Sequence, residues 1–277
     1  MAAAALSRGR LLLPTPTRTL SPSPSPSGRR RATARRAARR VIEEEGRAIA
    51  WPQPVRAEAE EAAGVRAVRA LLEEPRWAAG VDDPTVRWFL RDRRYDPPAA
   101  AAKLAKMLRW REGLGGGHGV PFPWAEVAPE AGTGKAYVHD RTDRYGRPVI
   151  VVDVSRHVTG EWPRESSQRL TGYFLDECVG RLGGEEAAIL GVFDLRRFKA
   201  RNADVGYARF LVDVFFNFYP RRLGRVLFVD APLIFQPPWQ VIKPLLGKYS
   251  RLVRFVRSGP ELESYFESRE DLPRTFR

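Results

Sequence analysis

The chain has 277 residues, of which 43% are hydrophobic, and a formal charge of +14. This length accommodates one large domain or two small ones with a sizeable core. No apolar run reaches the about 18 residues that a membrane-spanning helix needs, and the single cysteine, Cys178, excludes an intramolecular disulfide.

The first 40 residues carry most of the excess positive charge. No acidic residue precedes Glu43, and the same stretch holds ten arginines and the run SPSPSPS at Ser21 to Ser27. Such a composition is typical of an organelle transit peptide, and the alternative is a disordered basic tail. We expect residues 1–40 to be a disordered transit peptide for the chloroplast, with the mitochondrion or cytoplasm as alternatives. The remaining chain carries only about +4, which is weak evidence for nucleic-acid binding.

Two helical segments are predicted after this stretch. Residues 41–80 are interpreted as a linker and a helix, because Val65 and Val68 recur at helical spacing. Residues 81–120 are interpreted as a helical subdomain, in which Asp82 caps a helix that has Pro84 in its first turn. Each basic residue of this subdomain is expected to be either a solvent-exposed surface residue or a functional one.

Residues 121–277 show an α/β pattern. Short Val-rich and Ile-rich runs alternate with amphipathic stretches of helical length, which favours a mostly parallel sheet with right-handed crossovers. Besides a run that begins at Tyr137, the predicted strands are Pro148–Val154, Ile189–Leu195, Arg225–Asp230 and Leu252–Val256. The predicted helices are Glu165–Leu182, the very apolar Val205–Phe218, Trp239–Leu246 with an internal Pro244, and Pro260–Phe266.

Three short motifs around the fourth strand resemble one known family. They are Tyr219–Gly224 (YPRRLG), Asp230–Pro232 (DAP) and Lys243–Pro244, in the order and spacing of the CRAL-TRIO lipid-binding domain. Trp88–Arg91 and Trp110–Arg111 resemble the helical subdomain that precedes such domains. The resemblance implies a protein that holds one lipid in a closed apolar cavity behind a mobile gate helix, and that transfers or presents the lipid at membranes.

The resemblance also assigns candidate site residues. Apolar side chains are expected to line the cavity and the gate, and basic side chains are expected to dock the protein reversibly on an anionic membrane. The cavity candidates are Phe193, Leu211, Phe215 and Phe228, and the gate candidates are Trp239, Ile242, Leu245 and Leu246. The docking candidates are Lys243, Lys248, Arg251 and Arg254.

The segment after the third strand bears on the lipid head group. Family members that bind phosphatidylcholine carry small hydroxyl residues there, whereas this chain has basic residues from Arg196 to Arg201. Because arginine matches phosphate geometry, Lys199, Arg201 and Arg222 are predicted to hold an anionic head group, such as that of phosphatidic acid or a phosphoinositide. Arg221 replaces the usual Glu, which weakens the case for phosphatidylinositol itself. A neutral isoprenoid, such as a tocopherol or a carotenoid, is the alternative cargo.

Catalytic and metal-binding motifs are absent from the sequence. There is no G-x-S-x-G elbow and no dinucleotide-binding glycine pattern. The three histidines, His118, His139 and His157, lack ligand spacing and are interpreted as surface or turn residues. We therefore expect a monomeric lipid-binding protein without catalytic residues, metal or cofactor. A lipid-gated regulatory adaptor and, less favoured, a nucleic-acid binder are the other function classes.

Overall fold

A computed structural model describes residues 52–117, 121–184 and 187–277 of the chain. The predicted transit peptide at residues 1–40 lies outside the described residues. In the described part of the chain, no helix is long and apolar enough to cross a membrane.

The N-terminal helical subdomain contains α1 (Glu58–Ala70), α2 (Pro75–Gly80), α3 (Asp83–Asp92) and α4 (Pro97–Gly113). The carboxylate of Asp82 accepts a hydrogen bond from the Thr85 amide at 3.0 Å, so the predicted cap of α3 is confirmed. Asp96 caps α4 in the same way through the Ala99 amide at 3.1 Å. Helix α1 shares a buried core with α3 and α4.

Two arginines of this subdomain are buried. Arg91 donates to both carboxylate oxygens of Glu61 at 2.6 Å. Arg111 donates to Asp176, with Nη2 at 2.9 Å from Oδ2, and to the Tyr219 hydroxyl. Buried charges are tolerated only when they are paired in this manner. These side chains join helices within the subdomain, and join the subdomain to the sheet region, so neither takes a solvent-exposed position.

The sheet has five strands in sequence order: β1 (Ala136–Thr142), β2 (Pro148–Asp153), β3 (Ile189–Asp194), β4 (Leu223–Val229) and β5 (Val253–Val256). Strand β1 is antiparallel to β2, and β2 through β5 are parallel. The predicted α/β fold class, with N-terminal helices before a mostly parallel sheet, is confirmed. Asp230 ends the β4 region with φ 49°, a left-handed conformation that Asp tolerates better than most residues, and its carboxylate accepts from the Ser258 amide.

Alternation along the strands gives the sheet two different faces. On one face, the side chains pack against the C-terminal segment, which includes the short helix α9 (Pro260–Glu263) and the buried residues Phe266 and Leu272. The strand residues on this face are Val149, Val151, Leu190, Val192, Leu227 and Val229. The predicted closing helix is shorter than expected, because Tyr265 and Phe266 leave it to pack on the sheet.

The opposite face is covered by the crossover helices. Strands that advance in one direction with right-handed connections place every crossover helix on the same side of the sheet. These helices are α6 (Arg164–Gly180), α7 (Val205–Asp213) and α8 (Gln236–Leu246), and α5 (Trp124–Ala131) packs against α6. The expected helix Val205–Phe218 is α-helical only to Asp213, and Val214–Phe218 form a π-helical turn.

Candidate binding cavity

An apolar cavity of about 240 Å³ lies between the sheet and helices α6, α7 and α8. Its floor follows from strand register. Val152 on β2, Phe193 on β3 and Phe228 on β4 are paired neighbours that line the cavity, and Phe255 on β5 continues the row outside the lining. The adjoining row is Ile150, Gly191, Val226 and Val253. Gly191, which has no side chain, lets the Phe193 ring lie close to the floor, since a Cβ at this position would be only 3.3 Å from Phe193 Cε2.

Aromatic rings connect the floor of the cavity to helix α8. The rings of Phe193 and Phe228 pack edge-to-face, with centroids 5.6 Å apart. Trp239 of α8 lies 5.5 Å from Phe228 and 5.4 Å from Phe255, and it is 8% exposed. Edge-to-face contacts at these distances are favourable beyond simple burial. One aromatic cluster therefore packs helix α8 against the sheet.

The structure brings nearly all of the predicted apolar site residues together. Phe193, Leu211, Phe215 and Phe228 all line the cavity, as do Trp239, Ile242 and Leu246 of α8. Leu245 does not; it is 40% exposed and lies on the solvent side of α8. The apolar residues of this helix point in more than one direction, so the expectation that Leu245 shares the gate face with the others is corrected.

The carboxyl edge of the sheet contributes a polar cluster to the cavity wall. His157 stacks on Tyr207 with ring centroids 4.9 Å apart, and its Nε2 lies 3.3 Å from Asp204 Oδ2. The Tyr207 hydroxyl lies 2.5 Å from that of Thr171. Burial, reinforced by Lys135, lowers the pKa of His157, and burial raises the pKa of Tyr207. Sequence spacing gave no sign that this histidine lines a cavity; it lies in a turn, one of the two expected positions, with its side chain only 14% exposed.

His139 departs from its expected surface position. Its side chain is 4% exposed, and Nε2 lies 2.9 Å from the Asp271 carbonyl oxygen. It therefore ties the C-terminal segment to β1. In the described part of the chain, no three His, Cys, Asp or Glu residues gather into a possible metal site.

Arg221 lines the cavity at the opposite, amino edge of the sheet. Its Nε donates to Asp92 Oδ1 at 3.0 Å, and Lys103 contacts the other oxygen of Asp92 at 2.6 Å. Burial is the main reason that the pKa of Lys103 is lowered to about 8, and the neighbouring charges of Arg93 and Arg221 contribute to that lowering. Arg221 has φ 62°, a left-handed conformation that is uncommon for a residue with a side chain. Arg93 Nε also lies 3.2 Å from Asp92 Oδ2, so one carboxylate holds three cations beside the cavity.

Arg222 has a different environment from the one expected of a head-group residue. It does not line the cavity; its guanidinium lies 4.4 Å from the ring centroid of Trp88, and Nη1 contacts the Ala187 carbonyl oxygen at 3.4 Å. The left-handed turn at Arg221 directs two consecutive arginines to different surroundings. The prediction that Arg222 is a head-group residue is therefore corrected, because Arg222 connects the start of β4 to the helical subdomain. Arg221, which was not predicted as a site residue, lines the cavity instead.

Lys199 and Arg201 lie in a separate polar cleft. This cleft is lined by Ser155, Arg156, Arg196, Arg197, Phe198, Lys199 and Arg201. Only Phe198 lines both the cleft and the apolar cavity. The two predicted head-group cations are therefore outside the cavity, and a ligand group that they bind would be outside it too.

The predicted docking residues are distributed around α8 and β5. Lys243, Arg251 and Arg254 are exposed, and Arg254 Nη1 donates to the Arg251 carbonyl oxygen at 3.0 Å. The side chain of Lys248 lies outside the described part of the structure. Their role in docking stays a prediction. The turn before α8 adds two exposed apolar side chains beside them, Leu233 at 87% and Ile234 at 52%.

Comparison with known proteins gives consistent matches. A model described as "CRAL/TRIO domain" matches residues 131–276, more than half of the chain. A CRAL-TRIO domain-containing protein of Schizosaccharomyces pombe, C3H8.02, is 28% identical over 68% of this chain and 44% of its own length. Phosphatidylinositol transfer protein CSR1 of Eremothecium gossypii is 28% identical over 67% of this chain and 44% of its own length.

Two further matches cover a larger share of the matched protein. SEC14 cytosolic factor of Kluyveromyces lactis is 24% identical over 80% of this chain and 79% of its own length. The crystal structure of Sfh5 superimposes with a TM-score of 0.61 at 13% identity, covering 76% of this chain and 85% of that one, and it supports the fold alone. The chain spans less than half the length of the first two relatives, C3H8.02 and CSR1.

Proposed function

The chain belongs to the CRAL/TRIO domain family, and from this premise we propose that it binds one lipid in the apolar cavity and transfers or presents it at membranes. The observation that carries the proposal is the cavity itself, which aromatic and aliphatic side chains of the floor and of α8 enclose. Moving a lipid from a bilayer into water costs about 0.8 kcal/mol of free energy for each CH₂ that becomes exposed. An apolar lining of this kind offsets that free-energy cost, so carrying a lipid requires no catalytic group.

Helix α8 is the proposed gate. Pro237 and Pro238 lie in its first turn and Pro244 inside it, so three residues of this short helix cannot donate backbone hydrogen bonds. Gly247, with φ 49°, ends it in a conformation that glycine adopts at little cost. The cavity volume of about 240 Å³ is below the about 300–1,000 Å³ typical of sites for drug-sized ligands. Entry of a long-chain lipid therefore requires α8 to move away from the floor.

An anionic phospholipid, such as phosphatidic acid or a phosphoinositide, is the proposed cargo. The support is Arg221 at the cavity wall, with Lys103 behind it and Asp92 as their shared carboxylate. With Arg93, three cations lie against this one carboxylate and leave an excess of positive charge, and hydrogen bonds to a charged group are stronger than neutral ones. The phosphate would lie at the amino edge of the sheet, with the acyl chains along the floor.

A neutral lipid with one hydroxyl group is the second candidate, and a specific observation favours it. The cluster of His157, Tyr207 and Thr171 presents hydrogen-bonding groups to the cavity at the carboxyl edge. Such groups suit an alcohol or phenol better than a phosphate, because Asp204 adds a negative charge beside them. An isoprenoid such as a tocopherol fits this chemistry.

Native mass spectrometry of the purified chain, followed by lipid extraction, tests lipid binding and names the lipid. We expect one lipid per chain. Ala208 lines the cavity from α7, so Ala208→Trp should fill the space and abolish lipid retention. Ala70→Trp, at the exposed end of α1, is the matched control and should retain the lipid. A wild-type protein that carries no lipid and moves none between vesicles would refute the proposed function.

Vesicle transfer separates the carrier from the regulatory adaptor. A carrier should move a fluorescent lipid between donor and acceptor vesicles, whereas an adaptor should keep one lipid bound without transfer. A plastid location is also proposed, supported by the acid-free N-terminal stretch. N-terminal sequencing of the mature protein should then start between about Arg30 and Ala63, and an intact Met1 or Ala2 would overturn this proposal.

A further inference from the structure

A basic cleft lies outside the cavity at the carboxyl edge of the sheet. Its cations come from the loop after β3 and from the turn after β2. They are Arg156, Arg196, Arg197, Lys199 and Arg201. All five side chains belong to residues that are exposed to solvent, so the cleft is accessible without movement of α8.

The cleft has fewer carboxylates than cations. Asp153 pairs with both Arg156 and Arg197, at 3.0 and 2.9 Å. Asp194 pairs with Arg196 at 2.6 Å. Asp230 is a further negative charge near Arg196.

Lys199 and Arg201 make no ion pair with any residue that the structure describes. The cleft therefore has an excess of at least two positive charges. The paired arginines are fixed in place by their carboxylates, while the two unpaired cations are available to an anion.

The floor of the cleft contacts the beginning of the gate. Phe198 is buried between the cations, and its ring packs edge-to-face on Phe235, with centroids 5.2 Å apart. Phe235 closes the short turn that carries the exposed side chains of Leu233 and Ile234 into α8. A cluster of cations and an exposed apolar tip thus adjoin each other at the same edge of the molecule.

We propose that the basic cleft and the Leu233–Ile234 tip together dock the protein on an anionic phospholipid bilayer, with lipid phosphates bound in the cleft outside the cavity. The inference rests on the proposed lipid-carrying function and adds the docking surface. Apolar side chains that enter the interface and cations that bind anionic lipids strengthen one another, as in other peripheral proteins. Docking here places the first residues of the gate in the bilayer, where movement of α8 would open the cavity to lipid.

Vesicle co-sedimentation of the full chain tests this surface. The probes are phosphatidylcholine vesicles with and without phosphatidylserine. Each basic residue near an anionic surface contributes about fivefold to affinity, so Lys199→Ala/Arg201→Ala should weaken binding to the anionic vesicles about thirtyfold. Leu233→Ser should weaken binding to both kinds of vesicle, because it removes the inserted side chain.

Arg66→Ala/Arg109→Ala is the matched control. It removes the same charge from exposed positions on α1 and α4, and it should change vesicle affinity less than twofold at near-physiological salt, where screening is strong. Equal losses in the two double variants would mean that overall charge alone governs binding, and would overturn the proposal. Loss of affinity for a soluble inositol phosphate or for single-stranded RNA, with vesicle binding unchanged, would overturn it as well.

Lipid retention by the wild-type chain separates this inference from the proposed function. If the wild type carries lipid but Lys199→Ala/Arg201→Ala docks normally, the docking surface is wrong and the proposed function stands. If the wild type carries no lipid while docking still depends on Lys199 and Arg201, the proposed function is wrong and the docking surface stands.

Discussion

Replacing Arg221 by Met distinguishes the two proposed cargoes. The substitution removes the guanidinium at the cavity wall and keeps a side chain of similar length. Asp92 keeps its contact with Lys103 at 2.6 Å, so no carboxylate is left without a cation. The left-handed backbone at this position, φ 62°, strains Met and Arg alike. The wild type and the variant therefore differ in side-chain chemistry and not in backbone strain.

The magnitude follows from the bonds that are lost. A hydrogen bond between a charged donor and a phosphate contributes roughly 1.5–3 kcal/mol, which corresponds to about ten- to hundredfold in affinity. Arg221→Met should therefore weaken binding of an anionic phospholipid by at least about tenfold, and should leave a neutral isoprenoid unaffected. The free energy of unfolding should fall by about 1–3 kcal/mol, because one partly buried pair is lost.

The assay is competition for the cavity between a fluorescent phosphatidic acid and a fluorescent tocopherol, measured for the wild type and two variants. Arg222→Met is the control, since Arg222 lies over the Trp88 ring at 4.4 Å and not in the cavity. It should lower stability through the lost cation–π contact without changing the preference between cargoes. Equal losses of both ligands in Arg221→Met, or a larger selective loss in Arg222→Met, would refute the assignment of Arg221 to a head group.

Three other outcomes follow from burial in the described residues. Trp239→Ala should lower the free energy of unfolding by about 3–5 kcal/mol in urea titrations, because Trp239 packs on Phe228 and Phe255; a loss under about 1 kcal/mol would show that α8 is not held by this cluster. His157, whose pKa is lowered by burial, contributes stability that is present above about pH 6.5 and is lost as the pH falls through its folded-state pKa. His157→Gln should therefore flatten the fall in stability between about pH 7.5 and 5.5, and an unchanged slope would contradict this environment. Burial raises the pKa of the Cys178 thiol to about 12, so labelling by a thiol reagent should follow the unfolding rate; rapid labelling of the folded protein would contradict its burial.

The sequence by itself determined the layers of the fold and the floor of the cavity. The alternation in PVIVVD and in the two later strands assigns Val152, Phe193 and Phe228 to one face, because successive side chains of a strand point to opposite sides. Prolines and the apolar spacing of residues 239–246 predicted a short helix after the fourth strand in the same local manner. These features depend on the spacing of neighbours along the chain, which a sequence displays directly.

The tertiary structure decided which polar residues face the cavity. Arg221 and Arg222 are adjacent and chemically identical, and the left-handed turn at Arg221, with Asp92 of α3 as its partner, directs only the first to the cavity wall. His157 becomes a cavity residue only because Tyr207 and Asp204 arrive from a distant part of the chain. Lys199 and Arg201 are excluded from the cavity because buried Phe198 separates their cleft from it. The direction of a side chain at a turn depends on backbone dihedrals and on partners far away in sequence, and neither is encoded in local periodicity.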